Sequence, residues 1–185
     1  LNESADLERF VREQGVTTGA LTHALWALLL SRYQPLGKDA SGTHDLVFGM
    51  VVSGRPPSLA GVDAMVGLFT NTLPLRVKFS DDDTLADFLS VVQNSMLVAQ
   101  EHAYLPLAEI VSRPGIVEHV IGFENYPRDK EISASVSAGD FGFHVESIEA
   151  HEQTPYDLSV IFVPGDRLSV KFYFNSSRYT HCQIE

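Results

Sequence analysis

Residues 47–76 read VFGMVVSGRPPSLAGVDAMVGLFTNTLPLR. With Asp45 and Leu46 in front, residues 45–53 form a near-continuous apolar run, which predicts a strand covered on both faces. Pro56, Pro57 and Gly61 then predict a loop. From 73 to 79 the pattern alternates strictly, with Leu73, Leu75, Val77 and Phe79 set against Pro74, Arg76 and Lys78. Period two with one apolar face predicts a second strand, and Pro74 stands near its start, where a missing N–H is tolerated.

Helical patterns precede this pair. Residues 4–14 carry Leu7, Phe10 and Val11 on one face, with Ser4 as the candidate N-cap and Gly15 as the stop. A second helix runs from Thr17 or Thr18 to about Tyr33; its apolar residues lie nearly all round, which predicts burial on every side. After the second strand, Asp81-Asp82-Asp83-Thr84 opens a long helix to about His102, and acidic residues there complement the helix dipole and cap free N–H groups. Its predicted inward residues are Leu85, Phe88, Leu89, Val92, Met96 and Ala99. A short helix over 106–112 follows. Strands are predicted over 117–123, 141–149, 156–163 and 168–174, with Pro164-Gly165-Asp166 turning the last two into a hairpin. Helices and strands intermix, so the class is α/β with a mixed sheet packed by helices.

Composition narrows the function. A net charge of −11, from 13 basic and 24 acidic residues, disfavours a nucleic-acid partner. No apolar run approaches the roughly 20 residues of a membrane span. Cys182 is the single cysteine, which excludes an internal disulfide and fits a cytoplasmic chain. No His-Glu-x-x-His, Gly-x-Ser-x-Gly, P-loop or dinucleotide fingerprint occurs, so no metal site is expected.

The order Ser53-Gly54-Arg55, loop, Val66-Gly67-Leu68-Phe69-Thr70-Asn71-Thr72, strand resembles the core of nonribosomal peptide synthetase condensation domains. The likeness continues in Leu21 to Tyr33, in residues 101–107 (EHAYLPL), in Val120-Ile121-Gly122-Phe123-Glu124-Asn125-Tyr126-Pro127 and in Thr154-Pro155-Tyr156-Asp157-Leu158. Each segment is weak alone; their order and spacing make the resemblance specific. It implies the chloramphenicol-acetyltransferase-like fold, in which two α/β lobes form a V around a tunnel. The expected chemistry is attack of an acceptor amine on a donor thioester, with both substrates carried on phosphopantetheine of partner carrier domains and no cofactor bound directly. The implied partners are the other lobe, donor and acceptor carrier domains and an adjacent adenylation domain. The family's His-His-x-x-x-Asp-Gly motif is absent. Residues 1–185 are therefore expected to be the C-terminal lobe alone, without the catalytic lobe or the final helix, and inactive in isolation.

The same resemblance assigns candidate residues, and none of them is a catalytic group. Arg55 has the planar fork that suits a carboxylate and is the first candidate to hold the Asp of the partner lobe's histidine motif, with Arg76 second; the plain alternative is a solvated strand-end charge. Gly67, Asn71 and Thr72 would shape the tunnel or simply serve turn geometry. Asn125 would meet a substrate or carbonyl, or merely end its strand. His102 is read as a helix-end cap, His23 as a satisfied core histidine and Cys182 as incidental. Epimerization, heterocyclization and partner-recruiting relatives remain alternatives. Leu68 after Gly67, and the ending Glu124-Asn125-Tyr126-Pro127, favour condensation over epimerization. A half-domain is also expected to expose an apolar patch.

Overall fold

The computed structural model describes residues 3–33, 42–56, 58–111, 115–124, 154–165 and 167–185. The strand expected over 141–149 and the candidate Asn125 lie outside them. In chain order the elements are α1 (Glu3–Glu13), α2 (Thr18–Tyr33), β1 (Thr43–Val52), a 3-10 turn (Val62–Ala64), β2 (Asn71–Ser80), α3 (Leu85–Gln100), α4 (Leu107–Ile110), β3 (His119–Phe123), β4 (Leu158–Val163), β5 (Ser169–Phe174) and α5 (His181–Ile184). The class is α/β, as expected, and α4 is shorter than its sequence pattern indicated.

The strands form one sheet in the order β2-β1-β3-β4-β5. The outer pairs are antiparallel hairpins, whereas β1 with β3 and β3 with β4 are parallel. β1 and β2 pair over ten positions each, from Thr43 opposite Ser80 to Val52 opposite Asn71. The predicted alternation of β2 holds: Leu73, Leu75, Val77 and Phe79 are buried while Arg76 and Lys78 are exposed. Pro74 is accommodated because β2 borders the sheet and pairs on one side only. β1 departs from expectation. One face is fully buried, but Thr43, Asp45, Val47 and Val51 on the other are half-exposed.

α1 ends at Gly15, whose φ of +67° suits glycine. Gly15 N–H donates to Arg12 O, and Val16 N–H reaches back to Val11 O at 3.0 Å. These are the two bonds of a Schellman cap, with Val11 and Val16 supplying its buried apolar contact. Thr17 Oγ1 accepts from Ala20 N–H at 3.0 Å and so caps α2. Gln93 of α3 ties down this junction, accepting from Thr17 N–H at 2.7 Å and donating to Gly15 O at 3.2 Å.

Three sequence expectations need correction. Ser4 lies inside α1, and its hydroxyl accepts from Leu168 N–H in the last hairpin instead of capping the helix. α2 is buried on every side only in its first half, where residues 19–24 are all buried; in its second half Trp26, Ala27 and Ser31 are buried while Leu25, Leu28 and Leu29 are exposed. Small Ala20, Ala24 and Ala27 and large Leu21 and Trp26 all enter the core. Leu85 is exposed at the first position of α3, whereas Phe88, Leu89 and Val92 fill the core and Met96 and Ala99 pack at its margin. The acidic run before α3 also divides its work. Thr84 is the cap, accepting from Asp87 N–H; Asp83 accepts from Ser80 N–H at 2.7 Å; and Asp81 lies 2.8 Å from His44 Nε2.

Candidate functional site

β1 and β3 lie side by side and run parallel, yet the chain leaves β1 towards β2 and leaves β3 towards β4. The next strand of the sheet lies on one side of β1 and on the other side of β3, and the carboxyl ends of two such strands are the place where open α/β sheets hold ligands. The Ser53-Gly54-Arg55 segment follows β1 directly. Asn71 and Thr72 begin the antiparallel β2 at the same end, opposite Val52 and Val51.

Gly54 and Phe69 bring the two ends of the intervening loop together. Gly54 has φ +63°, and a Cβ there would sit 1.8 Å from the Phe69 carbonyl oxygen. Both the left-handed backbone and the contact therefore require glycine. Arg55 then clasps the loop from within. Its Nη1 donates to Val62 O, its Nη2 donates to Met65 O at 3.0 Å, and its guanidinium carbon lies 4.2 Å from the Phe69 ring centroid. Gly67 packs beside that ring, where an added Cβ would stand 3.3 Å from Cε2.

Asn71 secures the start of β2. Its Nδ2 donates to Ala103 O at 3.0 Å and Leu105 O at 2.7 Å, and its Oδ1 accepts from Thr72 N–H at 2.8 Å. Residues 103–105 belong to the segment that resembled a family motif, so Asn71 links two of the motifs noted in the sequence. Thr72 faces Gly49, where a Cβ would stand 3.0 Å from its methyl and 2.6 Å from Val120. That close approach lets β1 and β3 pack tightly beneath the site.

The other candidates lie elsewhere. Arg76 is mid-strand, opposite Val47, and grips Asp45 through Nε to Oδ1 at 2.8 Å and Nη2 to Oδ2 at 2.6 Å. Lys78 joins at 3.1 Å. The Arg76 hydrogen bond, with that of Lys78, pushes the Asp45 carboxyl down to about 2; on this exposed face solvent screens the network and it adds little stability. Arg76 also borders an open apolar groove of about 470 Å³ between β2 and α3, shared with Pro74, Val98, His102 and Ile110. His102 Nδ1 donates to Val98 O at 3.1 Å, the helix-end bond expected of it. His23 is buried with only one ring nitrogen bonded, so it is a half-satisfied core histidine. Cys182 is exposed and free. Sequence reading missed Phe69 as the ring under Arg55, Gln93 as a tie and His119 in the core. Only His119 left a signal, its place at a strand start in phase with the inward Ile121.

The loop that Arg55 holds presents its apolar side chains to solvent. Val66 and Leu68 are 102% and 95% exposed, with Leu59 and Met65 beside them. This is the apolar exposure expected from the sequence, and such side chains mark interaction surfaces. We expect the isolated chain to bind an apolar dye and to associate as concentration rises. Val66→Ser with Leu68→Ser should reduce both effects at unchanged stability, as read by fluorescence and sedimentation; no change in either would separate the behaviour from this loop.

No helix among the described residues is long and apolar enough to cross a membrane, and no group of three or more metal-ligating side chains occurs among them. The condensation-domain family model matches residues 2–185. Gramicidin S synthase 2 of Brevibacillus brevis is 33% identical over 177 residues, which cover 94% of this chain and 4% of that protein. Surfactin synthase subunit 2 of Bacillus subtilis (strain 168) is 37% identical over 174 residues, 92% of this chain and 5% of the relative. The chain thus spans about one-twentieth of these curated relatives. Among solved structures, the first condensation domain of the calcium-dependent antibiotic synthetase superposes with a TM-score of 0.73 at 21% identity, over 97% of this chain and 37% of that one. That likeness establishes the chloramphenicol-acetyltransferase-like fold, and with the family match over nearly the whole length the chain belongs to the condensation-domain family.

Proposed function

We propose that this chain is the C-terminal lobe of a condensation domain that joins carrier-bound aminoacyl or peptidyl thioesters in nonribosomal peptide synthesis. The observation that carries the reading is the clasp of Gly54, Arg55, Phe69 and Asn71 at the carboxyl ends of β1 and β3, built from the residues of the family core. Amide formation needs an amine held against a thioester carbonyl, a route for the amine's proton and stabilisation of the tetrahedral oxyanion. Positioning supplies up to roughly 7–11 kcal/mol in favourable cases, and a general base adds about 10²–10⁴-fold. The base belongs to the other lobe; the rigid loop and strand ends described above serve positioning. Substrates arrive on phosphopantetheine of donor and acceptor carrier domains, loaded by an adenylation domain.

In this reading Arg55 organises the active site indirectly. Two neutral carbonyls and an aromatic face orient its fork, and its remaining N–H groups are available for the carboxylate of the histidine motif across the lobe boundary. An arginine held in this way needs little further ordering to grip a carboxylate. Arg76, already bonded to Asp45, is the weaker candidate.

The experiment is amide formation by the complete two-lobed domain with aminoacylated carriers. Arg55→Ala should lower the rate roughly 100-fold, the scale of a 1 Å misplacement, while leaving carrier binding intact; Arg55→Lys should recover little, because a point charge lacks the fork. Unchanged condensation by a folded Arg55→Ala domain would remove Arg55 from this role. A wild-type domain that binds loaded carriers and forms no amide would favour the recruiting reading, and a heterocyclic product would favour heterocyclization.

A further inference from the structure

Beneath α2 the sheet buries a stack of rings unrelated to the clasp. His23 of α2 and Phe48 of β1 stack with centroids 6.2 Å apart, and Phe48 stacks on His119 of β3 at 6.1 Å. Trp26 meets His119 edge-on at 5.6 Å. His23 is 1% exposed and His119 8%. His23 Nδ1 donates to Gly19 O at 2.7 Å, which leaves its Nε2 as the unprotonated acceptor of a neutral ring. His23 Nε2, His119 Nε2 and Trp26 Nε1 are buried without a hydrogen-bond partner.

The surroundings offer no counter-ion to a cation. The residues that α1, α3, β2 and β4 turn towards this core are apolar apart from Ser159. Glu8, Arg12, Arg76, Lys78, Asp87 and Glu118 on the neighbouring elements are exposed, and Asp45 lies on the opposite face of β1. His44, further along β1, is the other titratable group on the buried face, and its Nε2 has the Asp81 carboxylate 2.8 Å away. His23 and His119 have no such partner among the described residues.

We infer that the His23–Phe48–His119 stack is an acid-sensitive lock: it holds α2 on the sheet while both imidazoles are neutral and releases it when they take protons. A proton on His23 Nε2 would create a buried cation with an unmatched N–H, a state that opening of the helix relieves. Burial pushes both histidines down to about 4. The sign follows from a folded value below the unfolded one of about 6.5. The stabilisation is complete above pH ~6.5 and is lost as pH falls from there towards ~4.

The test is urea unfolding of the intact chain at pH 7.5 and pH 5.0, followed by Trp26, the one tryptophan in the sequence. The unfolding constant should rise about 30-fold per histidine, and several hundred-fold for both, over this interval. The double variant His23→Asn, His119→Phe keeps a donor for Gly19 and an aromatic face for Phe48, and should lose most of that rise. An equal pH dependence in both proteins would overturn the inference. Should the variant not fold, imidazole NMR of the wild type decides: both rings neutral at pH 5.5 in the folded protein support the lock, and either ring titrating near 6.5 refutes it.

Discussion

Gly54→Ala is expected to destabilise the chain by about 2–5 kcal/mol, the sum of a left-handed backbone penalty and forced repacking. That is a large share of the roughly 5–15 kcal/mol that holds a domain together. The new methyl would stand 1.8 Å from the Phe69 carbonyl oxygen, and backbone cannot swing aside as a flexible side chain can. Gly61 provides the control. Its φ is +74°, but nothing lies within 4 Å of an added Cβ, so Gly61→Ala should cost only the conformational part, about 1–2 kcal/mol. Denaturant midpoints of the two variants separate the effects. Equal losses would mean that the loop yields freely at Phe69 and that the clasp is soft.

Asn71→Ala should cost about 2–4 kcal/mol, because it deletes three hydrogen bonds and strands the carbonyls of Ala103 and Leu105 in a partly buried site. Asn71→Asp is the sharper variant. It preserves shape and the bond from Thr72 N–H, but sets a carboxylate oxygen against two carbonyl oxygens, so at pH 7 it should be no better than alanine and, measured against the wild type at the same pH, should recover as the pH is lowered and the carboxyl gains a proton. Denaturant unfolding of both variants at pH 7 and pH 5 provides the check. An aspartate as stable as the wild type at pH 7 would show that the two carbonyls find other donors.

The β1–β2 pair was legible because its information is local: alternation in β2 fixes which face is buried, and Gly54, Pro56 and Pro57 mark the chain's departure from β1. α2 was read in outline only. A helix apolar on every side carries no direction in its hydrophobicity, so which of its leucines is buried (Leu21) and which are exposed (Leu25, Leu28 and Leu29) is set by the neighbouring elements and not by residue type. The motif residues were recognisable, yet their local tasks were not. Arg55 bonds the carbonyls of Val62 and Met65, and Asn71 those of Ala103 and Leu105. Backbone carbonyls have no side-chain signature, so no spacing rule points to them. The ring stack is hidden for a related reason, since His23, Phe48 and His119 come from three separate elements that meet only when the sheet is assembled.

The bond between Leu168 N–H and the Ser4 hydroxyl, together with the pairing of Gly49 with Val120 across the middle of the sheet, sets a timetable for synthesis. A ribosome adds about 5–20 residues per second, so roughly 10–30 s separate the emergence of the first helix from that of the hairpin that fastens it. For roughly 2–9 s of that interval, until β3 follows β2, β1 and β2 form a hairpin whose inner edge still awaits its neighbour, a template for mispairing with neighbouring nascent chains. Yield on expression should therefore respond to chaperone supply and to codon choice between residues 80 and 170 more than to changes in either terminal helix.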